Sequence, residues 1–275
     1  MKVREALAAA AARLEAVSET PRLDAELIMA HALGVSREAM LLNHMDAPAP
    51  PAFEALLLRR LACEPVAYIT GRRAFWTIEL EVGPGVLIPR PDSETLIEAA
   101  VARFGDEGPR SVLDLGTGPG TLLLAALDQW RAATGLGVDA SEDALAYARR
   151  NARRLGLSGR ASFRRGDWDE GLDGRFDLIL VNPPYVEAGA ALPAEIARWE
   201  PEEALYAGAD GLAAYRRLAP RIGRLLAPGG IACVEIGAGQ EKKAGALFAA
   251  QGFTMASRCD LRGIVRCLIF GLDRE

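Results

Sequence analysis

Asn182-Pro183-Pro184-Tyr185 directly follows an apolar run, Phe176 to Val181 with Asp177 near its start, that reads as a buried parallel strand. Two consecutive prolines stop a strand and stiffen the chain beyond it, because each fixes φ and lacks an N–H. The Asn182 side chain and the neighbouring backbone carbonyl, that of Pro183, are thereby held at the strand's carboxyl end. Together they offer two acceptors on one side of a small, flat pocket, and a planar NH2 group has two donors to match them. Tyr185 can supply a ring face or wall. This is the chemistry needed to hold an amide or exocyclic amino nitrogen for alkylation. Taken alone, the four residues equally describe a Pro-rich turn after a strand.

A second group has the chemistry of a cofactor cradle. Asp114-Leu115-Gly116-Thr117-Gly118-Pro119-Gly120 lies between a short apolar run and a helical pattern. The spacing is G-x-G-x-G, whereas the dinucleotide fingerprint needs a glycine where Thr121 stands. That argues against a nicotinamide or flavin cofactor. A glycine turn of this kind brings backbone close to a ligand, with helix N–H groups pointing at it. Asp114 can bind a charged ammonium or orient the turn. Asp139 ends the next strand, where an acidic residue is placed to accept both ribose hydroxyls of an adenosine. After the third strand, Asp167 can take the adenine amino group and the Trp168 indole can pack on the ring. Each piece has a plain alternative: a tight turn, a helix N-cap (for which Ser141 competes with Asp139), a surface aromatic. In series on successive strands they favour an adenosyl cofactor.

The elements that must position these residues are set by the periodicity. From Ser111 onward strands alternate with helices, with strands expected at 112–115, 136–138, 161–164, 176–181, 231–236, 253–257 and 265–270. The pattern predicts a doubly wound, mostly parallel α/β sheet of seven strands. With strand order 3-2-1-4-5, the order reverses between the strand carrying the glycine turn and the strand carrying Asn182. Ligands bind at such switch points, so the cradle and the Asn-Pro-Pro-Tyr pocket meet there. Upstream, helical patterns over 3–17, from Pro21 to the stop at Gly34, from a Ser36 cap through 42 and over 53–61 predict a small all-helical N-terminal domain over 1–72. Trp76, Ile78, Leu80 and Val82 alternate with polar residues as a half-buried strand. Gly83-Pro84-Gly85 reads as a turn and Val86-Leu87-Ile88 as the returning strand, so a β-hairpin linker is expected over 73–90. Asp92 or Ser93 is placed to cap the helix that opens the catalytic domain, 91–275.

Composition narrows the classes. The chain of 275 residues is 50% hydrophobic and 25% charged, which is ordinary for a soluble globular protein. No apolar run approaches the roughly 18 residues needed to span a bilayer, and residues 1–15 lack a signal peptide's layout; a cytoplasmic protein is expected, with no membrane partner. The net charge of −5 is not the usual footprint of a duplex-binding enzyme. Arg149, Arg150, Arg153 and Arg154 form a candidate basic patch, or else a solvated helix face. The four cysteines have no C-x-x-C spacing and the two histidines, His31 and His44, sit in helical contexts. No metal site is expected.

On these residues the chain resembles the class I S-adenosylmethionine-dependent methyltransferases that act on a planar nitrogen. More narrowly, Glu64-Pro65-Val66-Ala67-Tyr68-Ile69-Thr70-Gly71, Phe75-Trp76 and Leu87–Glu94 resemble the segment before the catalytic domain in bacterial release-factor glutamine methyltransferases, the PrmC/HemK type. Trp199–Leu205, Asp210-Gly211-Leu212 and Glu235-Ile236-Gly237 with Gln240 match as well. The resemblance implies a Rossmann-like methyltransferase fold and methylation of the side-chain amide nitrogen (N5) of the glutamine in the Gly-Gly-Gln loop of peptide chain release factors. It further implies that Gly116, Thr117, Gly118, Pro119, Gly120, Asp139, Trp168 and Asn182 contact S-adenosylmethionine. Asn182, Pro183, Pro184 and Tyr185 hold the glutamine, and the N-terminal helices help dock the release factor, with no direct nucleic-acid contact. Pro119 stands where the family usually has a small residue such as Thr, and Val181 where Ser is common.

Two rival enzyme readings share the Asn-Pro-Pro-Tyr logic. One is an adenine N6 or cytosine N4 methyltransferase acting on a flipped base; the acidic charge and the Glu64–Gly71 segment stand against it. The other is a glutamine methyltransferase for a ribosomal protein. A non-catalytic adenosyl-ligand binder is the third alternative. Arg90, Glu200 and Glu235 are open between pocket and structural ion pairs, with a structural role favoured for Glu235 at its strand end.

Overall fold

The computed structural model describes residues 1–272. Contacts divide the chain into two compact units: Met1–Arg72 with Leu192–Trp199, and Arg73–Ala191 with Glu200 onward.

The first unit is helical: α1 (Val3–Leu14), α2 (Pro21–Leu33), α3 (Arg37–Asn43), α4 (Ala52–Leu61) and α5 (Val66–Thr70). Pro21 starts α2 and Gly34, at φ 70°, ends it; Ser36 Oγ accepts the Ala39 N–H to cap α3. Leu7, Leu14, Ile28, Met29, Met40 and Leu57 interlock as its core. The apolar faces of the Ala-rich helices are therefore spent on each other. Inside this unit lies a buried ion pair. Asp24 Oδ2 accepts from Arg60 Nε at 2.8 Å and from Ser18 Oγ at 2.7 Å. Arg60 Nη2 lies 2.8 Å from Glu195 Oε2, which ties residues 192–199, including α9 (Ala194–Ala197), to the helices. That segment falls within 91–275, where the sequence places only the α/β sheet; it packs with the helices and shares this charge contact with them.

The second unit carries the strands β1 (Arg72–Phe75, whose first residue closes the first unit), β2 (Ile78–Glu81), β3 (Ser111–Leu115), β4 (Thr134–Asp139), β5 (Ala161–Arg165), β6 (Phe176–Val181), β7 (Leu226–Glu235), β8 (Phe253–Cys259) and β9 (Val265–Leu272). Between them run α6 (Glu94–Phe104), α7 (Thr121–Gln129), α8 (Glu142–Arg154), α10 (Ala213–Leu225) and α11 (Glu241–Ala249). The main sheet has seven strands in the order β5-β4-β3-β6-β7-β9-β8. All neighbours are parallel except those made by β9, which runs antiparallel between β7 and β8. The central strands are buried on both faces, as βαβ crossovers require. The order reverses between β3 and β6, the expected switch point. No helix among the described residues is long and apolar enough to cross a membrane.

The hairpin differs from expectation. β1 and β2 pair through a two-residue turn at Trp76-Thr77, and residues 83–88 form no strand. The alternation of Trp76 with Ile78 suggested one strand, but Trp76 adopts φ 53°. Glu94 Oε1 accepts its backbone N–H at 2.8 Å and Gln129 Oε1 its indole N–H at 3.0 Å. These two bonds hold a bulky residue in a sparsely populated conformation. Neither does Ser93 cap α6 with its side chain; the hydroxyl is used elsewhere. Three of the four arginines of the candidate basic patch are likewise paired: Arg149 with Glu142, Arg150 with Glu81 and Arg154 with Glu79.

Breaking one side of a buried ion pair leaves an uncompensated charge, whereas replacing both sides by apolar groups is often neutral. Arg60 keeps Glu195 as a partner, so we expect Asp24→Ala to lower stability by less than the ~3–5 kcal/mol of a wholly unpaired buried charge. The double change Asp24→Leu/Arg60→Met should recover most of it, as read by urea denaturation.

Candidate active site

Parallel register aligns the strand ends. Leu115 lies opposite Val138 and Val181, and Val181 opposite Val234. One residue further on stand Gly116, Asp139, Asn182 and Glu235, side by side along the carboxyl edge of the sheet. A cavity of about 480 Å³ opens there, lined among others by Gly116, Thr117, Gly118, Pro119, Asp139 and Asn182.

The glycine turn is built to present backbone. Gly116, Gly118 and Gly120 adopt φ of 75°, 56° and 89°, where a Cβ would be strained. The N–H groups of Gly116 and Thr117 both donate to Val138 O, at 2.9 and 3.0 Å. Gly120 does not line the cavity; it is the N-cap position of α7, where a Cβ would stand 2.7 Å from Leu124 Cδ1. Pro119 lines the cavity, and its carbonyl accepts from Asn151 Nδ2 at 2.9 Å. Asn151, fully buried on α8, also exchanges hydrogen bonds with the backbone of Glu81, so one amide clamps β2 to the glycine turn.

Two carboxyls face this turn. Asp114 is wholly buried, and Oδ2 accepts from Thr117 Oγ1 at 2.7 Å and from Leu123 N at 3.0 Å. Its Oδ1 has no partner. Burial pushes its pKa up to about 7, against the pull of those two hydrogen bonds. Asp139 Oδ2 accepts from Gly118 N at 2.8 Å and Oδ1 from Ser141 N at 2.9 Å. Burial raises its pKa as well. Asp139 thus organises both the glycine turn and its own, while each oxygen keeps a lone pair for a hydroxyl. The cap of α8 falls to Ser141, whose Oγ accepts from Ala144 N. Trp168, at φ 57°, lines the cavity, its ring 3.6 Å from where a Cβ on Gly116 would lie. Asp167 lines it too, but pairs with Arg217 at the rim.

On the other side of the switch point, Asn182 Nδ2 donates to Ser93 Oγ at 3.1 Å. Asn182 and Pro184 line the cavity; Pro183, buried, and Tyr185 are not among its lining residues. The Tyr185 hydroxyl donates to Glu235 Oε1 at 3.2 Å, and burial beside that carboxyl pushes its pKa well up. The sequence motif therefore splits: two members meet the cavity and two sit behind it. Gln240 secures the rear, donating from Nε2 to Tyr185 O at 3.0 Å and accepting Gly237 N at 2.9 Å. Gly211 lies so close that a Cβ would be 2.4 Å from Tyr185 O.

Glu200, also buried, accepts from Ile88 N at 3.0 Å and pairs with Arg90. It fixes the segment that brings Val86, Pro89 and Arg90 to the cavity wall. Sequence reasoning missed Ser93 and Asn151 as site residues. Ser93 was masked by its resemblance to a helix cap, and Asn151 by its position inside an arginine-rich helix.

Residues 5–71 match the PrmC N-terminal domain family, and residues 107–252 match a methyltransferase domain family. The release factor glutamine methyltransferase of Rhodospirillum rubrum is 46% identical over 91% of this chain and 79% of its own length. That of Caulobacter vibrioides is 45% identical over 86% and 84%. This chain belongs to the release factor glutamine methyltransferase family. Among solved structures, a 16S rRNA N2 G1207 methyltransferase of Thermus thermophilus in complex with AdoMet and guanosine shares the fold, with TM-score 0.54 and 23% identity over 74% of this chain and 50% of that one.

The cradle fits the family's methyl donor, S-adenosylmethionine: a glycine turn lining the cavity with no side chain at Gly116 or Gly118, the Asp139 carboxyl beside it, and an orphaned carboxyl oxygen at Asp114. A ligand carrying sulfonium and ammonium charges favours ionised carboxyls. The sign is that of a raised acid: above about 7 Asp114 is charged and binding is strong, and as pH falls through that value the charge is lost. We expect the S-adenosylmethionine Kd to rise below pH 7 by up to about tenfold per unit. In Asp114→Asn the profile should flatten, as read by calorimetric titration.

Proposed function

We propose that this enzyme methylates the N5 amide nitrogen of the glutamine in the Gly-Gly-Gln loop of a peptide chain release factor, in the cytoplasm, with the helical unit helping to dock that factor. The observation that carries the reading is the Asn182 amide. Its nitrogen is engaged by Ser93 at 3.1 Å, which leaves Oδ1 as the acceptor for a substrate at the cavity wall. A substrate NH2 group needs an acceptor, and an amide turned the other way would present a donor to it.

An amide nitrogen is a poor nucleophile because its lone pair is delocalised. S-adenosylmethionine supplies an electrophilic methyl on a positively charged sulfur. The protein's part is placement. Asn182 Oδ1 would accept one amide hydrogen and the carbonyl of Pro183, which lies behind the lining of the cavity, the other, making the nitrogen more electron-rich toward the methyl. As the nitrogen–methyl bond forms the methyl–sulfur bond breaks to leave a neutral thioether, and the surplus amide proton passes to solvent. Pro183 and Pro184 remove backbone freedom at this point. Asp139 would take the ribose hydroxyls, the turn from Gly116 to Pro119 the amino-acid end, and Trp168 would pack on the adenine. Proximity and alignment supply about 7–11 kcal/mol in favourable systems. Asp114 and Asp139 face the cofactor cradle and Glu235 lies behind Tyr185; Glu203 also lines the cavity, and its charge acts on Asp139.

The test is mass spectrometry of a release factor after incubation with the enzyme and S-adenosylmethionine. We expect one methyl on the Gly-Gly-Gln glutamine. Asn182→Ala should lower the rate by about 10²–10³ while leaving the S-adenosylmethionine Kd nearly unchanged. Methylation elsewhere, or equal loss of binding and turnover in the variant, would refute the assignment.

A further inference from the structure

The loop after β5 carries Trp168 in a conformation that its side chain opposes. Trp168 adopts φ 57°, in the left-handed region that a residue with a bulky side chain visits only at a cost. Such residues persist where their surroundings hold them. With this backbone the indole lines the cavity, and its six-membered ring comes 3.6 Å from where a Cβ on Gly116 would lie.

A row of arginines holds the loop. Arg217, Arg221 and Arg224 recur at i, i+4 and i+7 along α10 and so share one face, while Leu218, Ile222 and Leu225 turn into the core. Arg217 pairs with Asp167, the residue before Trp168. Asp169, the residue after it, is buried; its Oδ1 accepts from Arg221 Nη1 at 2.8 Å and its Oδ2 from Arg224 Nη2. Arg224 also donates to two carbonyls of the loop, Asp169 O and Leu172 O, each at 3.1 Å. At the loop's start Gly166 N donates to Asp139 O at 3.0 Å. The Asp167 pair is exposed on both sides, where such pairs contribute little. Asp169 is the buried partner of two guanidinium groups, and charge-assisted bonds of that kind are the strong ones.

We propose that Asp169, through Arg221 and Arg224, is the positioning residue that keeps Trp168 in its left-handed conformation and its indole on the cavity wall, and thereby sets the affinity for the adenosyl ligand. Without that fastening the backbone at Trp168 relaxes to negative φ, which swings the indole about the N–Cα bond and away from Gly116. Asp169, Arg221 and Arg224 are not among the cavity's lining residues, so their effect on binding travels through the loop.

This inference rests on Trp168 packing on the adenine, and the experiment separates the two. The S-adenosylmethionine Kd is measured by calorimetric titration for the full chain, Trp168→Ala, Asp169→Ala, Trp168→Ala/Asp169→Ala and Arg221→Met/Arg224→Met. We expect Trp168→Ala to weaken binding on the order of tenfold. Asp169→Ala and Arg221→Met/Arg224→Met should each weaken it several-fold, and Trp168→Ala/Asp169→Ala no more than Trp168→Ala alone. The two arginines are half-exposed, so losing Asp169 returns them to water rather than stranding a charge, and Asp169→Ala should fold; the arginine variant breaks the same contacts from the helix side. Before ligand is added, the near-UV circular dichroism contributed by Trp168, taken as the difference on Trp168→Phe, should shrink when Asp169 is alanine. A wild-type Kd in Asp169→Ala, losses that multiply in the double variant, or an unaltered Trp168 signal would overturn the role of Asp169 alone. A wild-type Kd in Trp168→Ala would sink the adenine contact and this inference with it.

Discussion

The register of the parallel sheet is the constraint on which the site is built. Val138, Leu115, Val181 and Val234 lie abreast on four neighbouring strands. The next residue of each strand emerges at one common edge, as Asp139, Gly116, Asn182 and Glu235. Because the side-chain period of a strand is two, a slip of one residue would turn each of them to the opposite face. The apolar strands, buried on both sides, specify that register strongly. Reach across the site is therefore set by strand spacing rather than by flexible loops.

The same geometry carries an electrostatic cost. Asp114 and Glu235 are both wholly buried, and burial lifts each to about 7, from 3.8 and 4.5 respectively. Both bind protons more tightly folded than unfolded, so the empty enzyme loses stability as pH rises from the ordinary carboxyl range toward 7. Each keeps one oxygen without a partner. Groups left so in a folded protein are where function is expected to repay the expense. One faces the cofactor cradle; the other lies behind the amide-holding pocket.

Much of this was legible in the sequence. The alternation of strands and helices pointed to the sheet and its switch point, because apolar runs of that length between glycine and proline punctuation have few other folds. The positions of the glycine turn, Asp139 and Asn182 at the cavity could be read because residues of that chemistry are tied to strand ends. The hairpin was misplaced because Trp76 continues a period-two pattern, while contacts from Glu94 and Gln129, distant in sequence, force it into a turn. Residues 192–199 group with the helices, with Arg60 paired to Glu195 between segments far apart in the chain. Ser93 was invisible for a related reason. Its type suits a helix start, and only the fold brings Asn182 to its hydroxyl.

Catalysis as described here depends on Asn182 waiting with its oxygen toward the substrate. A crystal structure with S-adenosylhomocysteine and a Gly-Gly-Gln peptide would show whether it does. We expect the glutamine NH2 within hydrogen-bonding distance of Asn182 Oδ1, with Asn182 Nδ2 still on Ser93 Oγ. A glutamine bound away from Asn182, or an Asn182 amide released from Ser93 in the complex, would contradict that placement.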